Sequence, residues 1–325
     1  MIALITGAAG FVASHVVDAY LSAGSHVVGV DNFSTGSARN LEAARANDRF
    51  AFVQADVAND WEVVEQFLER NGLRPDRVLH LASPASPVDY AKLPLETLAV
   101  NSRGTEAATK AAHRWGARFL FSSTSEVYGD PLEHPQRESY WGHVNPIGPR
   151  SCYDEGKRFG EALVFAYIRR HGVDARVVRI FNTYGPRMQR DDGRVIPTFI
   201  SQALAGMPLT LYGGGTQTRS FCYFSDLVRG IVACIECDRT RGEVINLGSA
   251  DEYSIRDSAE IIARMVGVPL VIKDGPRPAD DPMRRRPDLT KALDLLGWKP
   301  EVSLNDGLRA TIESFRTAAS SGVCS

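Results

Sequence analysis

No stretch of this sequence approaches the roughly 18 consecutive apolar residues that a membrane-spanning helix needs, which leaves no candidate span. Charge of one sign is also scarce. Thirty-seven Lys and Arg against 39 Asp and Glu leave a formal charge of −2. So balanced a chain has no broad attraction for nucleic acid or an anionic membrane surface. Any anionic ligand must therefore be held by local groups. Cysteine is sparse and odd in number: Cys152, Cys222, Cys234, Cys237 and Cys324. Five thiols in a long chain argue for free cysteines in a reducing cytoplasm. Cys234 and Cys237 have the C-x-x-C spacing, but they sit in an apolar helical run with no second pair to complete a zinc tetrahedron, so no metal is expected. The first strand begins at Ile2, and no targeting segment is expected before it. Internal repeats and low-complexity segments are lacking too.

What is present is ordinary globular composition, 44% hydrophobic and 23% charged over 325 residues, enough for one large α/β domain or two modest ones. Apolar runs at Ile2–Thr6, His26–Val30, Phe50–Gln54, Val78–Ala82, Phe119–Phe121 and Val177–Ile180 read as strands. Helical patterns lie between them over Phe11–Leu21, Trp61–Arg70, Pro94–Arg114 and Asp154–His171. Such alternation predicts a doubly wound, Rossmann-type parallel sheet covered on both faces. Ligands of such a sheet bind beyond the carboxyl ends of its strands. After about Asn182, Gly and Pro become dense and the alternation turns irregular. The expected organisation is therefore an NAD-binding domain over residues 1–181 and a smaller α+β, mainly substrate-binding domain over 182–325. A return to the sheet is expected near Val244–Leu247, and a frayed tail from Ala318 to Ser325.

The turn Thr6-Gly7-Ala8-Ala9-Gly10-Phe11-Val12-Ala13 joins the first strand to the first helix. Glycine at 7 permits the tight turn, and glycine at 10 lets backbone approach a pyrophosphate. The helix amino terminus then offers free N–H groups at Phe11 and Val12. A glycine turn alone is a weak signal, and an empty α/β fold also makes sharp turns. Here a strand precedes it, a helix follows it and Asp31, with Asn32 after it, ends the second strand. Asp31 can accept hydrogen bonds from the adenosine ribose hydroxyls and would repel a 2′-phosphate, so NAD is expected rather than NADP. Asp56 and Val57 follow the third strand on the adenine side. Leu81, Ala82 and Ser83, after the fourth strand, and Ser122, after the fifth, complete the expected cofactor set.

Tyr153 and Lys157 lie one helical turn apart on one face. A phenol titrating near 10 is a poor base at neutral pH. A neighbouring ammonium and a nicotinamide's positive charge both favour the phenolate, so the pair can remove a proton from a sugar hydroxyl. Upstream, Ser122–Gly129 follows the strand Phe119–Phe121, where a ligand should sit. Thr124 and Ser125 can hydrogen-bond a hydroxyl or ketone, and Glu126 brings a carboxyl. Read alone, that segment is equally a polar turn capping a helix.

Together these residues resemble the extended short-chain dehydrogenase/reductase family, and within it the UDP-glucuronate decarboxylases. The likeness runs from the first strand to about Arg316. Its most specific segments are His80–Pro87, Tyr140–Arg150, Arg179–Met188, Gly215–Phe221 and Asp280–Asp288. The resemblance implies oxidation of the sugar at C4, loss of carbon dioxide from the resulting β-keto acid, and re-reduction at C4. It implies that Tyr153, Lys157, Thr124, Ser125, Glu126 and Arg285 carry the chemistry, with Arg285 near the glucuronate carboxylate. It assigns Asn182, Arg194 and Arg219 to the diphosphate and sugar, Gln217 to the same substrate site and Tyr212 to the uridine region. Arginine forks suit phosphate oxygens, although each arginine taken singly is more often a solvated surface charge. The family also implies a homodimer through helices around Pro94–Arg114 and Tyr153–His171.

Sister enzymes stay open as alternatives. A 4,6-dehydratase carries Asp-Glu where this chain has Ser125-Glu126, and a 4-epimerase typically lacks the glutamate. A non-catalytic NAD-binding scaffold would have no need for Tyr153, Lys157 and Glu126 together. Two departures stand out. Ala13 replaces the usual third glycine, and Ala99 occupies a position where the resemblance implies a lysine.

Overall fold

The computed structural model describes residues 1–320. The tail expected from Ala318 begins inside the last helix, which runs to Ser320, and residues 321–325, Cys324 included, lie outside the described residues. Seven strands form one parallel sheet: β1 (Ile2–Thr6), β2 (His26–Asp31), β3 (Phe50–Gln54), β4 (Arg77–His80), β5 (Arg118–Thr124), β6 (Ala175–Ile180) and β7 (Val244–Leu247). Their spatial order is β7-β6-β5-β4-β1-β2-β3.

Neighbouring residues along each strand serve opposite cores, which explains why the strands read as unbroken apolar runs. Leu4, Val78, Phe119 and Val177 face one cluster, packed by α2 (Trp61–Arg70), α3 (Thr105–Trp115) and α4 (Ser151–His171). Ile5, Leu79, Leu120 and Val178 face the other, packed by α1 (Phe11–Ser22) and α5 (Phe224–Glu236). The chain steps outward from β1 through β2 to β3, then returns to β4 on the other side of β1. This reversal opens a crevice at the carboxyl ends of β1 and β4. A third cluster, built on Ile196, Phe199, Leu211, Ile262 and Leu308, holds together helices Val195–Leu204, Ile255–Val266 and Leu304–Ser320. These flank small sheets that place Thr218–Ser220 beside Arg284–Arg285.

The fourth strand stops at His80 and leaves Leu81 and Ala82 in a loop, α4 starts three residues early at Ser151, and two larger differences bear on the site. The helix expected over Pro94–Arg114 is interrupted by a π turn at Val100–Gly104. There Asn101 is buried, and its Nδ2 donates to Thr97 O at 2.9 Å and to Ser83 Oγ at 3.0 Å. β5 extends three residues beyond Phe121, because Ser122, Ser123 and Thr124 pair with β6. Their hydroxyls hide the strand in the sequence, yet Ser122 Oγ donates to His80 O and Ser123 Oγ to Glu161.

Among the described residues no helix is long and apolar enough to cross a membrane.

Candidate active site

A cleft of about 690 Å³ runs along the carboxyl ends of the strands. Every residue singled out above for cofactor, catalysis or substrate lines it. At its dinucleotide end Gly7 has φ +72°, and a Cβ there would lie 2.8 Å from Ala82 N and Cα. Only glycine lets the first turn pass so close beneath the loop after β4. Thr6 Oγ1 fastens that loop by accepting from Leu81 N and Ala82 N at 3.2 and 3.3 Å. Gly10 caps α1 with no side-chain bond, so the first-turn N–H groups have no partner inside the helix and suit a pyrophosphate. Asp31 accepts from Ala9 N at 3.0 Å and from Phe33 N at 2.7 Å. Burial pushes this carboxyl above its ordinary range, and the backbone N–H groups pull it back. Asp56 accepts from Ala58 N and Asn59 Nδ2, closing the turn at the far end. A side-chain-free turn, free helix N–H groups and an acid beyond them fit a dinucleotide.

At the other end α4 brings Tyr153 and Lys157 to the cleft, both buried. Gly160 makes this possible: a Cβ there would meet Phe121 Cζ at 2.4 Å, so its absence lets α4 lie close on β5. Lys157 Nζ donates to Ser122 O at 2.7 Å and sits 5.9 Å from the Tyr153 ring centre. Burial lowers Lys157 to about 7, opposed by Glu161. Burial also raises the Tyr153 phenol above its ordinary range, with the Thr124 hydrogen bond pulling the other way. The Tyr90 ring stacks on Tyr153 at 5.2 Å and 8°.

Glu126 sits in a 3-10 turn, Ser125–Tyr128, capped by the Thr124 hydroxyl. The resemblance puts Arg285 in the same site, and the fold brings it into bidentate contact with Glu126, Nη1–Oε1 at 2.5 Å and Nη2–Oε2 at 3.0 Å. A second guanidinium, from Arg150, also reaches Glu126 Oε2 at 2.6 Å. Despite burial, these two cations hold Glu126 down at about 2. Arg150 continues to Asp281 at 3.5 Å, and Asp281 to Arg219 at 3.0 Å. The result is a row of alternating charge, Arg285–Glu126–Arg150–Asp281–Arg219, spanning both halves of the cleft. Burial lowers Arg219 to about 10, with Asp281 supporting its charge. Arg194 pairs with Asp192 at 2.6 Å. Gln217 Nε2 donates to Tyr212 O at 2.9 Å, and Asn182 completes the wall. Ala99 lines the cleft without any charge of its own.

Sequence reasoning missed Arg150, Asp281 and Asp192 as members of this site. Arg150 stood inside a segment noted for its resemblance, but a lone arginine carries no local signal. Its proximity to Glu126 depends on how the loop before α4 folds across the 3-10 turn.

Residues 3–248 match the model of the NAD dependent epimerase/dehydratase family. The chain is 49% identical to UDP-glucuronic acid decarboxylase 1 of Arabidopsis thaliana, over 96% of this chain and 69% of that protein. It is 50% identical to UDP-glucuronic acid decarboxylase 1 of Xenopus tropicalis, over 96% and 72%. Among solved structures it is similar to UDP-glucuronic acid 4-epimerase from Bacillus cereus in complex with UDP-glucuronic acid and NAD. That likeness has TM-score 0.87 and 32% identity, covering 98% of this chain and 99% of that one. A dTDP-glucose 4,6-dehydratase from Streptomyces venezuelae with NAD bound aligns at TM-score 0.88 and 28% identity, covering 98% of each chain. The chain belongs to the NAD dependent epimerase/dehydratase family.

Proposed function

We propose that the chain is a carboxy-lyase converting UDP-glucuronate to UDP-xylose, with NAD recycled at each turnover. One observation carries the reading. Arg285 as a firm partner of the substrate carboxylate would oppose loss of carbon dioxide. In the cleft one N–H of each terminal nitrogen goes to Glu126, whose carboxylate already answers the guanidinium charge, so it can position the sugar without clamping the leaving group as a full ion pair.

Tyr153 takes the proton of the sugar 4-hydroxyl, while Thr124 and Ser125 hydrogen-bond the C4 oxygen. NAD held in the dinucleotide end of the cleft would supply a positive ring that favours the phenolate and a reversible hydride acceptor for C4. The 4-ketone makes the C5 substituent a β-keto acid, so the carboxylate leaves as carbon dioxide and its electrons pass into an enolate. Glu126 and Arg285 hold the sugar during this step and direct water-borne protonation at C5. Lys157, anchored on Ser122 O, orients the tyrosine and the cofactor ribose. Gly7, Gly10, Phe11 and Val12 hold the pyrophosphate, Asp31 and Asn32 the ribose, and Asp56 and Val57 the adenine. Asn182, Arg194 and Arg219 take the diphosphate and sugar, with Gln217 beside them and Tyr212 at the uridine.

In this reading residues 1–181 hold NAD and residues 182–325 mainly hold the nucleotide sugar. The protein works in the cytoplasm, in keeping with the free thiols Cys152, Cys222, Cys234 and Cys237. It works as a homodimer through the helical stretches around Pro94–Arg114 and Tyr153–His171, which expose Leu95, Leu98 and Phe159.

Incubation with UDP-glucuronate and NAD tests the activity. Carbon dioxide release with UDP-xylose identified by NMR supports it. Conversion to the C4 epimer without carbon dioxide would instead establish a 4-epimerase, as in the Bacillus cereus neighbour.

A further inference from the structure

Arg150 and Asp154 lie at the start of α4, one turn apart, with the Asp154 N–H donating to Arg150 O at 3.1 Å. Side chains so spaced on a helix are neighbours. Asp154 is only 6% exposed. Its Oδ1 is buried without a hydrogen-bond partner, and so is Arg150 Nε. An unused acceptor and an unused donor thus stand one turn apart, and each is costly to leave unmet. Arg150 spends its other nitrogens on Glu126 and Asp281.

We propose that Asp154 is a second seat for the Arg150 guanidinium, which makes Asp154 a positioning residue that decides how firmly Glu126 is held. With Arg150 on Glu126, the carboxylate faces two cations and is a poor acceptor. With Arg150 turned to Asp154, Glu126 keeps only Arg285 and can accept from the sugar. The groups facing Asp154 are Glu126 on the 3-10 turn, Arg285 on its strand, Tyr90 on the helix Pro87–Lys92, and Arg150, Cys152, Tyr153 and Glu155 on or beside α4. Burial, then the charge of Glu126, push Asp154 up to about 8. A carboxyl so raised holds its proton more tightly than an ordinary aspartate, and gives it up to solvent when Arg150 arrives. The consequence for turnover rests on the decarboxylase reading above.

A double-mutant cycle between Asp154→Asn and Arg150→Gln, in the full chain with NAD, tests this. Asp154→Asn should lower kcat for carbon dioxide release about tenfold with KM within about twofold. The single-turnover C4 oxidation, followed as NADH absorbance, should change little. In the Arg150→Gln background the same substitution should change nothing further. Equal losses in both backgrounds, or an unchanged kcat in the single variant, would overturn the proposal. Thermal unfolding gives a readout independent of substrate. A carboxyl raised in the fold costs stability progressively as pH rises from its unfolded value of 3.8 towards about 8. Asp154→Asn should therefore be more stable than wild type by a margin that widens across that window. Additive Tm shifts in the cycle above about pH 8, where Asp154 is ionised and draws Arg150, or a margin independent of pH, would also overturn the seat. Were the wild type to release no carbon dioxide, the decarboxylase reading would fail while the Tm cycle still decided the Arg150–Asp154 pairing.

Discussion

Tyr153 and Glu126 show how burial and neighbouring charge set opposite tasks for two acids in one cleft. Burial holds the phenol protonated in the resting site, so its proton leaves only when positive charge and substrate are in place. Tyr153→Phe should lower C4 oxidation by about 10²–10⁴-fold while NAD affinity, read by fluorescence titration, stays nearly unchanged. Glu126 is the reverse case, an anion held by Arg285 and Arg150 down to about 2 from an ordinary 4.5. A carboxyl lowered in the fold adds stability that is fully present above its unfolded range and is lost as pH falls through its folded value. Glu126→Gln leaves Arg285 without its anion and Arg150 with only Asp281, and should cost about 3 kcal/mol at neutral pH. The deficit in Tm against wild type should shrink as pH falls from 4.5 towards 2. In kinetics the same variant should slow decarboxylation more than C4 oxidation. Equal slowing of both steps would remove Glu126 from the second half of the reaction.

The helix α4 is the element on which the site depends. It carries Tyr153, Asp154 and Lys157, and it lies against β5 because Gly160 presents no side chain to Phe121. The sequence shows the Tyr–Lys spacing, but nothing in it says why residue 160 must be small. Phe121 is 39 positions away, and the contact exists only once the sheet has formed. Gly160→Ala forces a Cβ against the Phe121 ring, a small-to-large change that should cost about 1–3 kcal/mol. The same change shifts Lys157 from Ser122 O, so kcat should fall more than KM rises. A Tm and kcat equal to wild type would show that the helix has room to spare. The π turn at Val100–Gly104 was likewise invisible, because its cause is the buried Asn101 bonding to Thr97 and Ser83 across two elements.

At the scale of the molecule, the short helix Pro94–Ala99 exposes Leu95 and Leu98 and the long helix α4 beside it exposes Phe159, a cost in water that a second copy would relieve. Light scattering should report a dimer, and Phe159→Glu should shift it towards monomer with NAD binding preserved. A wild-type monomer would remove the claim. The sequence by itself determined the parallel sheet, through apolar runs that alternate with helical ones, and the dinucleotide turn. Both are local, since a glycine at 7 and a strand at 2–6 lie within a few residues of each other. It also placed Tyr153, Lys157 and Glu126 in the cleft through motif context. Only the tertiary structure decided what surrounds Glu126. Arg150 arrives from a loop 24 residues on, and Arg285 from a strand 159 residues on. Neither distance leaves a trace in local periodicity, because both ion pairs are made by how distant segments fold over the 3-10 turn and not by the order of residues along the chain.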